Sequence, residues 1–281
     1  MCGVVAVLGK KSASALVIEG LKKLEYRGYD SAGIATLGKR SVNAIKSEGK
    51  LNNLINSFST QKIEKSFFDN SIAIGHTRWA THGNINIKNA HPLISDNKVA
   101  VVHNGIIENH TIIKKQLISE GYIFKSDTDT EVIPNLFVKY IKMGNDFLHA
   151  GRLVLKDIKG AFAFVAMSVD FPEQLFVTRN SSPLAIGIGE GSNFIGSDAQ
   201  SINHLTNKII YLEDGDHALV ETDKIEIFDK YLNKVNRKII NIEAEVGLVT
   251  KGGYKHFMEK EIHEQPSVIP QTISAFLNDK L

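Results

Sequence analysis

The chain has 281 residues, of which 43% are hydrophobic and 23% charged, with a formal net charge of +2. That composition is ordinary for a globular protein, and its near-neutral balance gives no bulk electrostatic footprint for nucleic acid or a membrane. A single cysteine, Cys2, rules out an intramolecular disulfide and a thiolate-rich zinc site.

Val4 to Leu8 reads as a buried strand. Leu16, Val17, Leu21 and Leu24 then recur at helical spacing, with Ser12 or Ser14 as a cap and Gly28 just past the end. Gly33–Leu37 and Ser41–Lys46 read as paired strands joined by Gly38-Lys39-Arg40, and Leu51, Leu54, Ile55 and Phe58 as a short helix. Ser71–His76 and Val99–His103 are apolar runs ending in polar residues, expected to be central strands that deliver side chains to a site. Ile112, Ile113, Leu117 and Ile118 make a helix face stopped by Gly121. Another helix carries Val132, Ile133, Leu136, Phe137, Tyr140 and Ile141. Thr128 and Glu131 have capping-box spacing at its start, whereas Pro134 argues for a start nearer Thr130; the boundary stays open.

From Ala161 onward the chain turns to short strands at close spacing: Ala161–Val169, Leu175–Thr178, Leu184–Ile188, Asn193–Gly196, Ile209–Leu212, His217–Glu221 and Lys224–Phe228. Short connections demand antiparallel pairing, since parallel strands need long crossovers. The expected class is therefore α+β, with antiparallel sheets covered by helices. Lys251-Gly252-Gly253 reads as a hinge, followed by helical patterns over His256–Gln265 and Val268–Leu277. No apolar run reaches the length of a membrane span, and the run Val4–Leu8 is too short for a signal peptide. A cytoplasmic, reducing compartment is expected.

Five segments are candidates for chemistry. Removal of Met1 would leave Cys2 with a thiol and a free α-amine, whose reference pKa of about 7.7–8.0 suits it to act as base for its own side chain. Taken alone, Cys2 reads equally as a small buried residue. His76-Thr77-Arg78-Trp79-Ala80-Thr81-His82-Gly83 clusters polar and aromatic types after a strand, and Arg78 offers a planar fork for a carboxylate. His76, His82, His91 and His103 lie close in sequence, but their spacings match no zinc pattern, and no metal or cofactor is expected. Asn104-Gly105 can aim a side-chain amide and a backbone N–H at one point, as an oxyanion hole does. By itself that dipeptide reads first as a turn. Ser126–Glu131 gathers acids at a helix start, which caps a helix or leaves a carboxylate for an ammonium group. Tyr26–Gly33 reads as a packed corner in which glycines supply unusual backbone angles.

Together, Met1-Cys2-Gly3-Val4-Val5, Leu24–Gly33, His76–Gly83, His103–Asn109, Asp127–Glu131, Arg179–Leu184, Gly196-Ser197-Asp198 and Lys255–Pro266 resemble the class II glutamine amidotransferases, and within them the glutaminase domain of the glutamine–fructose-6-phosphate aminotransferases. The resemblance covers nearly the whole chain. It implies a four-layer αββα sandwich, the N-terminal-nucleophile fold, with a glutaminase domain over 2–250 and a linker and helical start over 251–281 leading toward sugar isomerase domains. It implies Cys2 as nucleophile, Asn104 and Gly105 as oxyanion hole, and Arg27 as a residue that positions the nucleophile. Arg78 would take the glutamine α-carboxylate and Asp129 its α-ammonium. Thr81 and His82 would line the same pocket, and Trp79 would belong to a loop closing over it. The implied partner is L-glutamine; fructose 6-phosphate would enter only through the missing domains, in a homodimeric whole enzyme. The rival readings are the same module from another class II amidotransferase, a hydrolase of other amides, and a non-catalytic glutamine-binding module.

Overall fold

The structure, a computed structural model, describes residues 2–9, 12–60, 65–80, 84–242 and 253–278. In chain order it forms β1 (Gly3–Leu8), α1 (Ala13–Leu24), β2 (Ser31–Leu37), β3 (Val42–Glu48), α2 (Leu51–Thr60), α3 (Lys65–Phe68), β4 (Ile72–Arg78), β5 (Leu93–Ser95) and β6 (Val99–Ile107). There follow α4 (His110–Ser119), α5 (Val132–Lys142), α6 (Phe147–Asp157), β7 (Gly160–Ser168), β8 (Phe171–Asn180), β9 (Ala185–Gly189) and β10 (Ser192–Gly196). The last elements are β11 (Lys208–Tyr211), β12 (His217–Val220), β13 (Ile225–Phe228), β14 (Lys234–Val235), β15 (Ile239–Asn241) and α7 (Phe257–Asn278).

The strands build two sheets. One has the order β15-β11-β9-β10-β1-β4-β2-β3, the other β14-β13-β12-β8-β7-β6-β5. Neighbouring strands pair antiparallel throughout, for example Val4 opposite His76 and Val102 opposite Val165. Period-two alternation sorts the side chains into layers. Val4, Ala6 and Leu8 of β1, with Ile72 and Ile74 of β4, face Ala100 and Val102 of β6 and Ala163, Val165 and Met167 of β7 in a core between the sheets. The intervening Val5 and Val7 pack instead on Val17, Leu21 and Leu24 of α1. On the far side, Val99 and Val101 pack on Phe137 of α5 and Phe147 and Val154 of α6. The order helices, sheet, sheet, helices is the expected αββα sandwich.

Several local expectations change. Neither serine caps α1 through its side chain: Ser12 has φ of 62° and makes no such bond, and Ser14 is buried inside the helix. The capping box at α5 does not form, because Glu131 turns back to accept from the Lys125 and Ser126 N–H groups. A single 3-10 turn, Asp129–Glu131, leads into α5, and Pro134 falls in the first turn of that helix. On α4 only Ile113 and Leu117 are buried; Ile112 and Ile118 face solvent. Sequence patterning missed α6, although Asp146 caps it by accepting from the His149 N–H. The two helical patterns after position 255 are one helix, α7, containing both Pro266 and Pro270. Lys251 and Gly252 of the expected hinge lie outside the described residues. By internal contacts the chain divides into Met1–Ala244 and Glu245–Leu281.

Candidate active site

The inner rows of three strands change from apolar to polar at the same end of the sandwich. On β1 the row Leu8, Ala6, Val4 runs out to Cys2. On β4 Ile72 and Ile74 are followed at the same spacing by His76 and Arg78, and on β6 Ala100 and Val102 by Asn104. Cys2, Arg78, Trp79, His91, His103, Gly105, Thr128, Asp129 and Thr130 line one cleft there.

Cys2 sits at the rim, half-buried. The Trp79 N–H donates to its Sγ at 3.1 Å, and the thiol lies 3.4 Å from the Trp79 carbonyl oxygen. Burial pushes the thiol above its ordinary value, against the Trp79 N–H and the Arg78 charge, which pull it down. At neutral pH the sulfur therefore holds its proton, and a base is needed to remove it. The Asn104 side chain donates through Nδ2 to the Cys2 carbonyl oxygen at 3.0 Å.

Asn104-Gly105 is not a turn. The strand β6 runs through it to Ile107, with Asn104 opposite Ala163 and Gly105 opposite Phe162 on β7. Pairing with a neighbouring strand overrides the local preference of the dipeptide. Gly105 has φ of +128°, and a Cβ there would stand 2.0 Å from the Ala161 carbonyl oxygen, so only glycine fits. Gly28 is a glycine for a different reason than the expected unusual angle. Its φ of −164° is extended, but a Cβ would meet the Arg78 backbone at 2.8 Å. That contact seats the Glu25–Arg27 turn on the end of β4.

The charged groups are fixed by the backbone around them. Asp129 is buried, and its Oδ2 accepts from the Ile107 N–H at 2.7 Å. Arg78 is buried too, and Cys2, Asp30 and Asp129 favour its charge against the desolvation that opposes it. Arg27, outside the cleft lining, pairs with Asp198. The adjacent Ser197 accepts through Oγ from the Val4 N–H at 3.1 Å. The Trp79 ring is 40% exposed and packs on Tyr29, with centroids 5.3 Å apart. Thr81 and His82 lie outside the described residues.

Residues 76–204 match the family described as "Glutamine amidotransferase domain". The chain is 44% identical over 281 residues to the glutamine–fructose-6-phosphate aminotransferase (isomerizing) of Caldanaerobacter subterraneus subsp. tengcongensis, covering 99% of this chain and 45% of that protein. It is 46% identical over 278 residues to the Fusobacterium nucleatum protein of the same name, covering 98% and 45%. Over residues 76–204 the chain is thus similar to a glutamine amidotransferase domain. It spans about 45% of the length of these curated relatives. Among solved structures, the Bacillus subtilis glutamine phosphoribosylpyrophosphate amidotransferase in complex with ADP and GMP aligns with a TM-score of 0.68 at 26% identity, covering 83% of this chain and 50% of that one. A class II domain protein from Silicibacter pomeroyi, at TM-score 0.54 and 14% identity, shares the fold.

The structure gathers Cys2, Arg78, Gly105 and Asp129 into one cleft, brings Asn104 to Cys2, and pairs Arg27 with Asp198 outside the cleft lining. It also adds residues that sequence reasoning missed. Asp30 accepts through Oδ2 from the Ala80 N–H at 2.8 Å, holding the segment that follows Trp79. Thr128 and Thr130 line the cleft, and Thr130 Oγ1 is 2.9 Å from His103 Nδ1. The His76 and His91 rings are 4.3 Å apart and those of His91 and His103 6.4 Å apart, yet no metal-binding group is found among the described residues. Burial lowers His76 to about 3 and His103 to about 4, and holds His91 well below its ordinary value. All three are neutral imidazoles at physiological pH.

Proposed function

We propose that this chain hydrolyses L-glutamine to glutamate and ammonia through a thioester on Cys2. In the whole protein the ammonia would serve the conversion of fructose 6-phosphate to glucosamine 6-phosphate. The 44–46% identity to aminotransferases named for that acceptor supports the second step. The observation that carries the first is the single cleft lined by Cys2, a buried cation and a buried anion.

Glutamine carries a carboxylate and an ammonium at one end and a neutral amide at the other. Arg78 holds the carboxylate and Asp129 the ammonium, which fixes the amide against Sγ and converts attack into an oriented, unimolecular step. With Met1 removed, the α-amine of Cys2 takes the thiol proton that burial would otherwise retain. The sulfur adds to the amide carbon. Asn104 Nδ2 and the Gly105 N–H receive the oxyanion; one such donor contributes about 3–4 kcal/mol to the transition state. The amine returns its proton to the departing ammonia, and water then cleaves the thioester. Arg27, tied to Asp198, whose neighbour Ser197 bonds the Val4 N–H, steadies the strand that presents Cys2. By the resemblance, Thr81 and His82 bind the same glutamine, and Trp79 belongs to the segment that closes over it.

The glutaminase domain occupies 2–250, and 251–281 leads toward the remaining domains of a cytoplasmic, homodimeric enzyme. No nucleic acid or membrane takes part, and among the described residues no helix is long and apolar enough to cross a bilayer. The test is Cys2→Ala. Ammonia release should fall by at least about 10⁴-fold, while the unfolding midpoint stays within the wild-type range. Ammonia release at the wild-type rate would overturn the reading. Intact-mass analysis of the N-terminus, compared with activity, tests the amine: molecules that retain Met1 should be nearly inert.

A further inference from the structure

Asn104 can serve as an oxyanion donor only if its amide is the right way round, because one end of the group donates and the other accepts. A histidine outside the cleft lining decides this. His76 is fully buried on β4, and its Nε2 lies 3.0 Å from the His103 carbonyl oxygen and 3.1 Å from Asn104 Oδ1. A backbone carbonyl oxygen has no hydrogen to give. The short contact to it therefore requires the proton on Nε2, which makes His76 the Nε2–H tautomer. The same Nε2–H then faces the Asn104 amide. Turning that amide over would set its NH₂ against an N–H and leave an oxygen facing the Cys2 carbonyl, two repulsive contacts in place of two hydrogen bonds.

We propose that His76 is a positioning residue whose single Nε2 proton, assigned by the His103 carbonyl, locks the Asn104 amide with Nδ2 toward Cys2 and the reacting carbonyl. Among the described residues His76 Nδ1 has no hydrogen-bond partner, which fits an imidazole retained for one proton at one nitrogen. Burial keeps the ring neutral, so no second proton appears on Nδ1 in the working pH range. The inference rests on the oxyanion role given to Asn104 above.

His76→Phe keeps the ring volume and removes the proton. Glutamine turnover should fall about 10- to 100-fold in kcat, with KM changed less than about threefold. Alkylation of Cys2 by iodoacetamide, a displacement at saturated carbon that develops no carbonyl oxyanion, should keep its wild-type rate. His76→Gln, which restores an N–H donor, should recover most of the turnover. The double variant His76→Phe with Asn104→Ala should be no slower than Asn104→Ala alone. Equal losses in turnover and alkylation, wild-type turnover in His76→Phe, or multiplicative losses in the double variant would each overturn the proposal. Asn104→Ala separates the two layers of the argument: if it turns over normally, the oxyanion reading fails, whatever His76 does. Should His76→Phe not fold, ¹⁵N-histidine NMR of the unaltered protein decides. The Nε2–H tautomer should persist from about pH 5 to about pH 9, and an Nδ1–H tautomer would sink the idea.

Discussion

The middle of the sandwich and its active end are made from the same strands, yet they obey different rules. Between the sheets, the side chains of Val102, Ala163, Val165, Met167, Ile74 and Ala6 are wholly buried and apolar, so the strand ladders supply all the hydrogen bonds these residues need. Two residues further along the same rows His76 and Asn104 replace them, and Arg78 follows two beyond His76. The active end also contains buried polar atoms that find no partner among the described residues: Nδ1 of His76, Nδ1 of His91, Nε2 of His103 and Oγ1 of Thr77. An unpaired buried donor or acceptor costs about 1–3 kcal/mol. The apolar middle therefore stabilises the fold, and the polar end draws on that stability to hold groups in one orientation.

Substitutions can break this contrast from either side. The largest effect is expected in the body of the sandwich. Phe176 is fully buried against Phe137, Phe147 and Phe164. Phe176→Ala should cost about 3–5 kcal/mol of stability in urea titration while the activity per folded molecule is retained. Asn104→Ala should do the reverse, lowering turnover by about 10²- to 10³-fold, equivalent to about 3–4 kcal/mol, with little change in the unfolding midpoint. An Asn104→Ala protein as unstable as Phe176→Ala would erase the distinction.

Acid should expose the polar end next. His76 and His103 are lowered by burial to about 3 and about 4, and His91 is also lowered, whereas the unfolded chain protonates histidine near pH 6.5. Below that pH the unfolded state binds more protons, so stability is complete above about pH 6.5 and is lost as the pH falls toward the folded values. Each of these histidines should add about one proton to the slope of stability against pH. His91→Phe should flatten the slope by about one proton, and an unchanged slope would contradict the neutral, buried state. The smallest effect belongs to the solvent face. Lys98 and Asp170 form an exposed pair 3.1 Å apart, and Lys98→Ala should cost no more than about 1 kcal/mol and leave turnover unchanged.

The same contrast explains what the sequence discloses. The alternation Val4, Ala6, Leu8 against Val5, Val7 announces a strand with two covered faces, and the polar residues that end the runs at His76 and His103 announce a site. What stays hidden depends on partners distant in the chain. Asn104-Gly105 looks like a turn until Ala161–Ala163 is placed beside it. Glu131 looks like half of a capping box until the chain bends back to offer the Lys125 and Ser126 N–H groups. His91 lies in a loop, and its ring contact with His76, tilted by 48°, joins residues that no local spacing brings together. The helix α6 was legible in principle, since Asp146 precedes Phe147, Ala150 and Val154 at helical intervals.

The inner rows have one more consequence. Side chains on a strand alternate between its faces, so sliding β4 or β6 by a single position would turn Arg78 or Asn104 outward in the same movement that exposes Ile74 or Val102. A mispaired molecule would lose its interior and its chemistry together. Turnover per molecule thus doubles as an assay of correct strand alignment, and refolded samples can be graded by it without any structural probe.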